Sequence, residues 1–580
     1  MAKPRRPVFG RWFAFHLRRL VRIYWRSPDA RWSALLLAGA IALELGTVYA
    51  NLLLSDAERL IFDALEGRHG AAFLSATGLF LGFSALFLFA STYRIYLRQL
   101  VEVRWRRGLT AHYLERWMGG RAYCQVALHP TELDNPDQRI QEDVRDFVAS
   151  ALGLSLSLLA ALATLVSFGG LLWRLSATWS LPVGGQHLHI PGLLLWVAIA
   201  YAVLSTALTH WVGRRLVPIN FDRLRREADF RYGLMRFRDH VETIVLSRGE
   251  ELERRGSLGR FRGVMLNWWQ LVAAQRNLSL LTTGIGQANS LVPILVAAPG
   301  YFAGLLTLGS IVQIRFAYGQ VSGALNWFVY AYQEIARWRA NIERLATFAE
   351  VMDATQRDLE RAGVRVETGP ASALRIRDLE LQSREGAPLV ARANASVAAG
   401  ERVAIVGPSG SGKTTLLRAV AGIWPFGEGK IEVPAGAHML FVPQRPYIPV
   451  GSLRAVLSFP APEGRFSDDA IRGVLRLLGL KSLDGRLDES ALWEEQLSPD
   501  EQQRVSIARV LLNEPEWVFL DKATSALDED VEKRVYQILA QRLPKATLIS
   551  VAHRPEVADY HARRWTLAPH DHGPATLQAA

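Results

Sequence analysis

The chain has 580 residues, 50% of them apolar and 21% charged, with a net charge of +12 and a mean hydropathy of +0.09. That length predicts two or more domains, and a mean hydropathy above zero is high for a soluble protein of this size, so part of the apolar content is expected in lipid. The composition excludes a disordered chain, and the single cysteine, Cys124, excludes a disulfide scaffold or a cysteine-rich metal site.

The first 32 residues are basic: Lys3, Arg5, Arg6, Arg11, Arg18, Arg19, Arg22, Arg26 and Arg31 stand against one acid, Asp29. The apolar run that follows starts only near Trp32 and is too long for a signal peptide, so it reads as a membrane helix without cleavage. Six spans are expected, at 33–54, 71–93, 147–173, 193–212, 278–298 and 304–333, each near the roughly 20 residues a bilayer requires. Gln313, Arg315, Gln320 and Asn326 interrupt the sixth, which is the weakest in hydropathy.

Charge in the connections sets orientation. Segment 94–146 holds nine arginines and 213–277 holds fourteen, whereas 175–192 has no Lys or Arg and 55–70 is acidic on balance. The positive-inside rule then places the N-terminus, both long connections and the C-terminal half in the cytoplasm. A bacterial inner membrane fits this best. The arginines follow the membrane topology rather than one compact domain, so the basic character does not point to nucleic acid as a partner.

From about residue 372 short β-rich runs alternate with helical patterns, as in an α/β domain. The expected organisation is a basic cytoplasmic segment at 1–32, a six-helix membrane domain at 33–348, a linker at 349–371 and the α/β domain at 372–580. Arg402 to Val406 reads as a buried strand. It runs into Gly407, Pro408, Ser409, Gly410, Ser411, Gly412, Lys413, Thr414 and Thr415, and then into a helical run. This is G-x-x-x-x-G-K-[ST] in a strand–loop–helix context, the phosphate-binding P-loop. Its glycines turn backbone N–H groups inward on phosphate oxygens, and the helix N-terminus adds partial positive charge. Lys413 can reach the β- and γ-phosphates, and Thr414 can hold Mg²⁺. About 100 residues on, Trp517 to Asp521 is an apolar strand ending in a carboxylate, suited to the same metal.

The order P-loop, Gln444, Leu497-Ser498, Asp521, Ser525-Ala526-Leu527-Asp528, His553 resembles an ABC transporter nucleotide-binding domain. The resemblance implies ATP and Mg²⁺ as cofactors. It implies Gln444 as the Q-loop residue that senses the membrane domain and the metal, and Leu497 to Glu501, with Ser498, as the signature segment. Ala526 to Asp528 becomes the D-loop and His553 the switch histidine on the γ-phosphate. In the membrane half, Asn135-Pro136-Asp137-Gln138 resembles the N-P-D-Q motif of the subfamily D half-transporters (the peroxisomal fatty-acyl transporters) and their bacterial YddA-type relatives. Phe62 to Leu65, Arg248-Gly249-Glu250 and Pro299 to Gly304 are similar to the same group. The SbmA/BacA peptide permeases share a similar membrane domain but lack the ATPase. Read directly, Asn135 suits an N-cap, Pro136 the first helical position and Asp137 the helix dipole; the resemblance docks this helix on the ATPase domain.

The fold class expected is therefore an α-helical membrane domain followed by an α/β P-loop ABC nucleotide-binding domain. ABC sites close between two such domains, and this chain has one P-loop and one signature segment. A homodimer with two identical sites is the economical expectation, with a heterodimer as the alternative.

Three positions depart from the family pattern. Lys522 follows Asp521 where a glutamate usually polarises the attacking water, and losing a general base typically costs about 10²–10⁴ in rate. In Leu497-Ser498-Pro499-Asp500-Glu501, Asp500 replaces a glycine and brings a negative charge toward phosphate, although Ser498 to Glu501 is a capping box. Ser383 and Arg384 stand where an aromatic often stacks on adenine. Slow hydrolysis held by Gln444 and His553, ATP-driven closure with little turnover, and substitution by another acid such as Glu529 are all compatible with this.

Charge inside a membrane is a functional pointer. Glu44 lies mid-span in the first helix and Arg315 in the sixth, able to face a cavity or to pair with each other. His187 and His189 in the outer loop, and His570 and His572 near the tail, have the residue type of metal ligands, but exposed loop histidines rarely serve as such. The function expected is ATP-dependent transport of an amphiphilic or bulky solute (fatty acyl, peptide or cobalamin-like) with low ATPase activity. The alternative is a non-hydrolytic, ATP-regulated gate or a proton-coupled permease using Glu44.

Overall fold

The computed structural model describes residues 10–119, 123, 135–176, 180–183, 186–360, 363–369, 372–552, 554–570 and 573–579. The chain divides into two units, 1–115 with 135–349 and 116–134 with 350–580.

The first unit is helical. Helix α1 (Arg11–Trp25) is amphipathic: Phe13, His16, Leu20 and Tyr24, spaced three and four apart, are buried, while its arginines stay on the other faces. Then come α2 (Ala30–Glu66), α3 (Gly70–Met118), α4 (Pro136–Ser176), α5 (Leu193–Gly213), α6 (Leu216–Asp239), α7 (Val241–Leu246), α8 (Glu250–Phe302), α9 (Leu308–Leu325) and α10 (Trp327–Glu360). Among the described residues α2, α3, α4, α5 and α8 are the five helices long and apolar enough to cross a membrane. The sixth expected span, 304–333, is divided: α9 stops at Leu325, Asn326 breaks the helix and α10 restarts at Trp327. The same polar residues that weaken its hydropathy keep α9 out of that set. At 49 and 53 residues, α3 and α8 span roughly 75–80 Å, far more than the ~30 Å hydrocarbon layer, so both continue well beyond it.

The core of this unit lies where α4, α5, α8 and α9 meet, around Phe168, Leu172, Leu194, Ala297, Ile314 and Tyr318. The acidic turn expected at 55–70 proves to be a cap for α9. The Leu308 N–H donates to Glu66 Oε2 at 2.8 Å, the Gly309 N–H to Asp63 Oδ1 at 3.1 Å, and Gln313 Nε2 to Asp56 Oδ1 at 2.6 Å. Carboxylates at a helix N-terminus satisfy its unpaired N–H groups and complement its dipole. Gly309 is required there, because a Cβ would lie 2.2 Å from the Arg59 carbonyl oxygen.

The N-P-D-Q segment corrects one local expectation. Pro136 does open the helix, but Asn135 sits at φ 49° and its side chain makes no cap hydrogen bond. A π-helical turn over Arg139–Asp143 follows instead. That extra residue per turn swings Asp143 inward, where it is 3% exposed and accepts from Arg139 at 3.0 Å and from both ends of the Arg344 guanidinium at 2.5 and 2.8 Å. The outer 175–192 segment, expected as a loop, carries a short antiparallel hairpin, β1 (Ser180–Val183) with β2 (Gln186–His189).

The second unit is built on a ten-stranded sheet. Its strands are β3 (Val364–Gly369), β4 (Ala373–Gln382), β5 (Pro388–Ala398), β6 (Arg402–Val406), β7 (Gly427–Pro434), β8 (Met439–Val442), β11 (Trp517–Asp521), β12 (Thr547–Val551), β13 (Arg563–His570) and β14 (Gly573–Ala579), in the order 3-7-4-5-14-13-6-12-11-8. The short pair β9 (Gly451–Ser452) and β10 (Ser490–Ala491) stands apart from that sheet. The helices are α11 (Lys413–Val420), α12 (Leu453–Ser458), α13 (Asp468–Leu477), α14 (Trp493–Gln496), α15 (Pro499–Asn513) and α16 (Glu529–Arg542). The expected linker 349–371 is mostly regular structure, since α10 runs on to Glu360 and β3 already pairs with β7.

Candidate functional site

Three parallel strands position the residues expected to bind ATP. β12 pairs with β6 on one side and β11 on the other, all parallel. Their interiors read as unbroken apolar runs because both faces are covered: Val403, Ala404 and Ile405 are fully buried, and Trp517 to Leu520 nearly so. Parallel strands deliver their C-terminal loops to one edge, which is where α/β sheets bind ligands. That edge receives the Gly407–Gly412 loop, Asp521-Lys522 and Ala552.

The loop conformation demands its glycines. Gly407 has φ 149° and a Cβ there would meet the Leu567 carbonyl oxygen at 2.5 Å; Gly412 has φ 89° and would meet Val390 at 2.9 Å. Lys413 folds back over the loop, donating to the carbonyls of Gly407 at 2.7 Å and Pro408 at 2.6 Å. The Thr414 hydroxyl donates to Asp521 Oδ1 at 3.0 Å, so the two oxygen ligands expected for a metal are already side by side. Burial pushes the Lys413 ammonium below the ordinary lysine value; the positive charge of Lys522 pushes the same way and Asp521 opposes. Lys522 itself takes the left-handed backbone, φ 52°, directly after the β11 carboxylate.

The signature segment forms the capping box read from the sequence. Glu501 N–H donates to Ser498 Oγ at 3.4 Å and Ser498 N–H to Glu501 Oε2 at 3.0 Å, opening α15 behind Pro499. Asp500 is not left as a free negative charge. It accepts from Ser498 Oγ and from Arg504 NH2, both at 2.5 Å. Partial burial works to raise its pKa, but the hydrogen bonds from Ser498 and Arg504 outweigh it and hold the carboxyl below the usual range. Gln444 is exposed after β8. His553 lies outside the described residues, as does His572. His187, His189 and His570 are on strands, and no cluster of three metal-ligating side chains occurs among the described residues. Arg384 is exposed at the tip of the β4–β5 turn, a few residues before Leu389 and Val390, which flank Gly412.

Two further residues join these parts. Gln503, buried on α15, donates through Nε2 to the Gln444 carbonyl at 3.0 Å and to Ser525 Oγ at 3.3 Å, and its Oε1 accepts from the Ala526 N–H at 2.8 Å. One amide therefore ties the segment at Gln444 to that at Ser525-Ala526. Glu532, buried on α16, accepts from the Thr524 hydroxyl at 2.5 Å and pairs with Arg554 at 3.2 Å. Glu529, the acid considered from the sequence, is exposed at the start of the same helix. Both residues were readable only as polar positions on otherwise buried helix faces. Behind β12, His561 bonds Val557 O and Ser550 Oγ, each at 2.9 Å, and burial pushes its pKa down to about 4.

In the membrane unit Glu44 is 4% exposed and pairs with Arg94 of α3 at 2.6 Å, not with Arg315. Arg315 is exposed on α9.

The two halves match two family models, ABC transporter transmembrane region 2 over residues 20–302 and ABC transporter over 390–525. An uncharacterised ABC transporter ATP-binding protein of Synechocystis is 36% identical over 563 residues, 93% of this chain and 82% of that protein. The inner membrane ABC transporter ATP-binding protein YddA of Escherichia coli is 31% identical over 95% of each chain. This chain is an ABC half-transporter. A lysosomal cobalamin transporter of Homo sapiens in the D family is 27% identical over 80% of each chain. The half-transporter is accordingly an integral membrane protein with an ATP-binding domain, and half-transporters of this family generally dimerise.

Proposed function

We propose that this half-transporter acts as a homodimer in a bacterial inner membrane, its ATPase domain cytoplasmic. It uses ATP to move an amphiphilic or bulky solute of fatty acyl, peptide or cobalamin-like type, with slow turnover. The observation that carries this reading is the Thr414–Asp521 pair beside a buried Lys413. A hydroxyl and a carboxylate at the end of parallel strands fit Mg²⁺, with Gln444 as a further oxygen donor, and the glycine loop, whose conformation a Cβ at Gly407 or Gly412 would disturb, fits phosphates. Mg²⁺–ATP, when bound, supplies the phosphoryl group whose transfer to water releases the free energy. The chain's own part is to hold: Gly407 to Gly412, Lys413, Thr414 and Thr415 cradle the phosphates, and His553 steadies the terminal one. Ser498 reaches it from the partner copy.

Lys522 is what makes turnover slow. A protonated lysine cannot take a proton from water, so Gln444 and His553 are left to orient it. A gate that binds ATP without hydrolysing it is the second reading, favoured by the Lys522 charge felt at Lys413. Its proton-coupled form requires Glu44 as carrier, and the ion pair with Arg94 counts against that. ATP turnover of the full chain in lipid nanodiscs tests the choice. Slow activity that disappears in Lys413→Ala supports the transporter; ATP binding without any turnover would hand the case to the gate.

A further inference from the structure

Helix α1 is pinned to the membrane unit at both ends. Near its end Tyr24 stacks on Trp105 of α3, ring centroids 6.2 Å apart, and bonds the Ser33 hydroxyl at the start of α2. Near its beginning the Phe13 ring meets Trp338 of α10 edge-on at 5.9 Å. These two anchor points stand at one height in the bundle. Trp105 packs on Phe147 of α4 at 5.8 Å, and α4 is tied to α10 on either side of that level, through Asp143 to Arg344 and through Ser150 to Glu334. Trp338 lies between those two ties. A helix whose ends rest at equal height runs across the bundle, in the plane of the membrane. That height is the level of the lipid headgroups, because Ser33 stands between Trp32 and Leu35, both exposed, where the apolar span of α2 begins.

The side of α1 turned away from the bundle is a line of arginines. Arg11, Arg18, Arg22 and Arg26 recur at spacings of seven and four, which keeps them within about 80° of one another around the helix, opposite the buried Phe13, Leu20 and Tyr24. All four are exposed, and among the described residues none has a side-chain hydrogen bond or an ion pair. The helix itself contains no carboxylate, and Asp29, the acid that follows it, is taken by Arg107 of α3 at 3.0 Å. Like charges four residues apart destabilise a helix, so the stripe works against α1 unless negative charge faces it. Phe15, 62% exposed, sits within the stripe. A large apolar ring among guanidinium groups suits the boundary between headgroups and acyl chains, where amphipathic helices lie.

We propose that this stripe is a docking surface for the anionic phospholipids of the adjoining leaflet, each guanidinium donating to phosphate oxygens. From Arg11 to Arg26 it runs about 22 Å, long enough to meet several headgroups side by side. A nucleic acid would need the stripe clear of the bilayer, whereas both ends of α1 are fixed at bilayer height. The surface sets which lipids surround the protein, and does so whether or not ATP is turned over.

The test is native mass spectrometry of the full chain in detergent with equimolar phosphatidylglycerol and phosphatidylcholine, read as the ratio of the two lipids retained. The parent should favour phosphatidylglycerol by about fivefold or more, the equivalent of one arginine–headgroup contact of roughly 1 kcal/mol. Arg11→Gln, Arg18→Gln, Arg22→Gln and Arg26→Gln together should bring the ratio down by about the same factor, while four lysines at these positions should keep most of it. The pair Arg18→Gln, Arg22→Gln should lose part of it and carries the test if the fourfold variant does not fold. Glutamines at Arg225, Arg231, Arg236 and Arg238, all exposed on α6, control for cytoplasmic charge in general and should leave the ratio in place. An unchanged ratio in the stripe variants, or an equal fall in the α6 variant, would overturn the proposal. So would a parent ratio near one; an RNA oligonucleotide held by that parent and released by the fourfold variant would then claim the stripe for nucleic acid.

Discussion

The two halves of the chain use polar residues in opposite ways. In the ATP-binding half the buried ones join separate segments, as Gln503 joins the Gln444 and Ser525 segments and Glu532 joins Thr524 to Arg554. In the membrane half the buried ones form clasps between helices, such as Glu44–Arg94 and Asp143–Arg344, alongside the acidic cap that Asp63 and Glu66 place on α9. Water explains the difference. A soluble domain can spend polar groups on positioning because misfits are solvated, whereas in lipid each must be paired or used. A departure at the phosphate-binding edge of the first half should therefore alter rate, and one at a clasp in the second should alter folding.

The largest effect expected follows from that contrast. Lys522→Glu restores a group able to polarise water and removes a charge felt by Lys413, so ATP turnover should rise by about 10²-fold or more; an unchanged rate would mean the site is limited elsewhere. In the membrane half, Arg344→Ala strands the buried Asp143 carboxylate with Arg139 alone. It should cost about 3 kcal/mol, read by thermal unfolding in detergent, without changing the nucleotide affinity of whatever remains folded. Equal loss of nucleotide affinity would break the division of labour.

His561 sharpens the picture for the soluble half. Its folded pKa of about 4 lies below the ordinary value of 6.5, so as pH falls the unfolded chain takes up the proton first. The contribution is complete above pH 6.5 and is lost progressively down to about pH 4, on the order of 3 kcal/mol in all. His561→Gln should flatten the melting temperature across that window. The smallest effect on stability is that of Ser498→Ala, which removes the cap of α15 and should cost about 1 kcal/mol, with α15 helicity read by hydrogen exchange at its first turn.

Much of the ATP-binding half was legible because its chemistry is local. A strand, a glycine loop, a lysine and a threonine are consecutive, and Ser498 to Glu501 specifies its own cap. What stayed hidden depends on three-dimensional neighbours: Asp500 reads as a bare charge until Arg504 is seen one turn on, and Glu532 looks no different from Glu529 until burial separates them. The membrane half showed its spans through hydropathy alone, five of the six as long apolar helices. Hydropathy does not record partners, so Glu44 was offered to Arg315 when it is Arg94 of α3 that holds it. Nor does it record the π-helical turn that replaces the Asn135 cap, since that turn is stabilised by Arg344, some 200 residues away.

Helix α9 is anchored at one end and interrupted at the other. Its first turn is bound to Asp63 and Glu66 of α2, while its last residue meets the break at Asn326. A rod fixed in this manner behaves as a lever with its fulcrum at the Leu308 end. Any rearrangement of the unit then displaces Gly319 less than Asn326, and the throw is greatest where α10 begins. Shortening the lever by a second break, or freeing the fulcrum with Gly309→Ala, changes how far the start of α10 can swing without altering a single residue of α10.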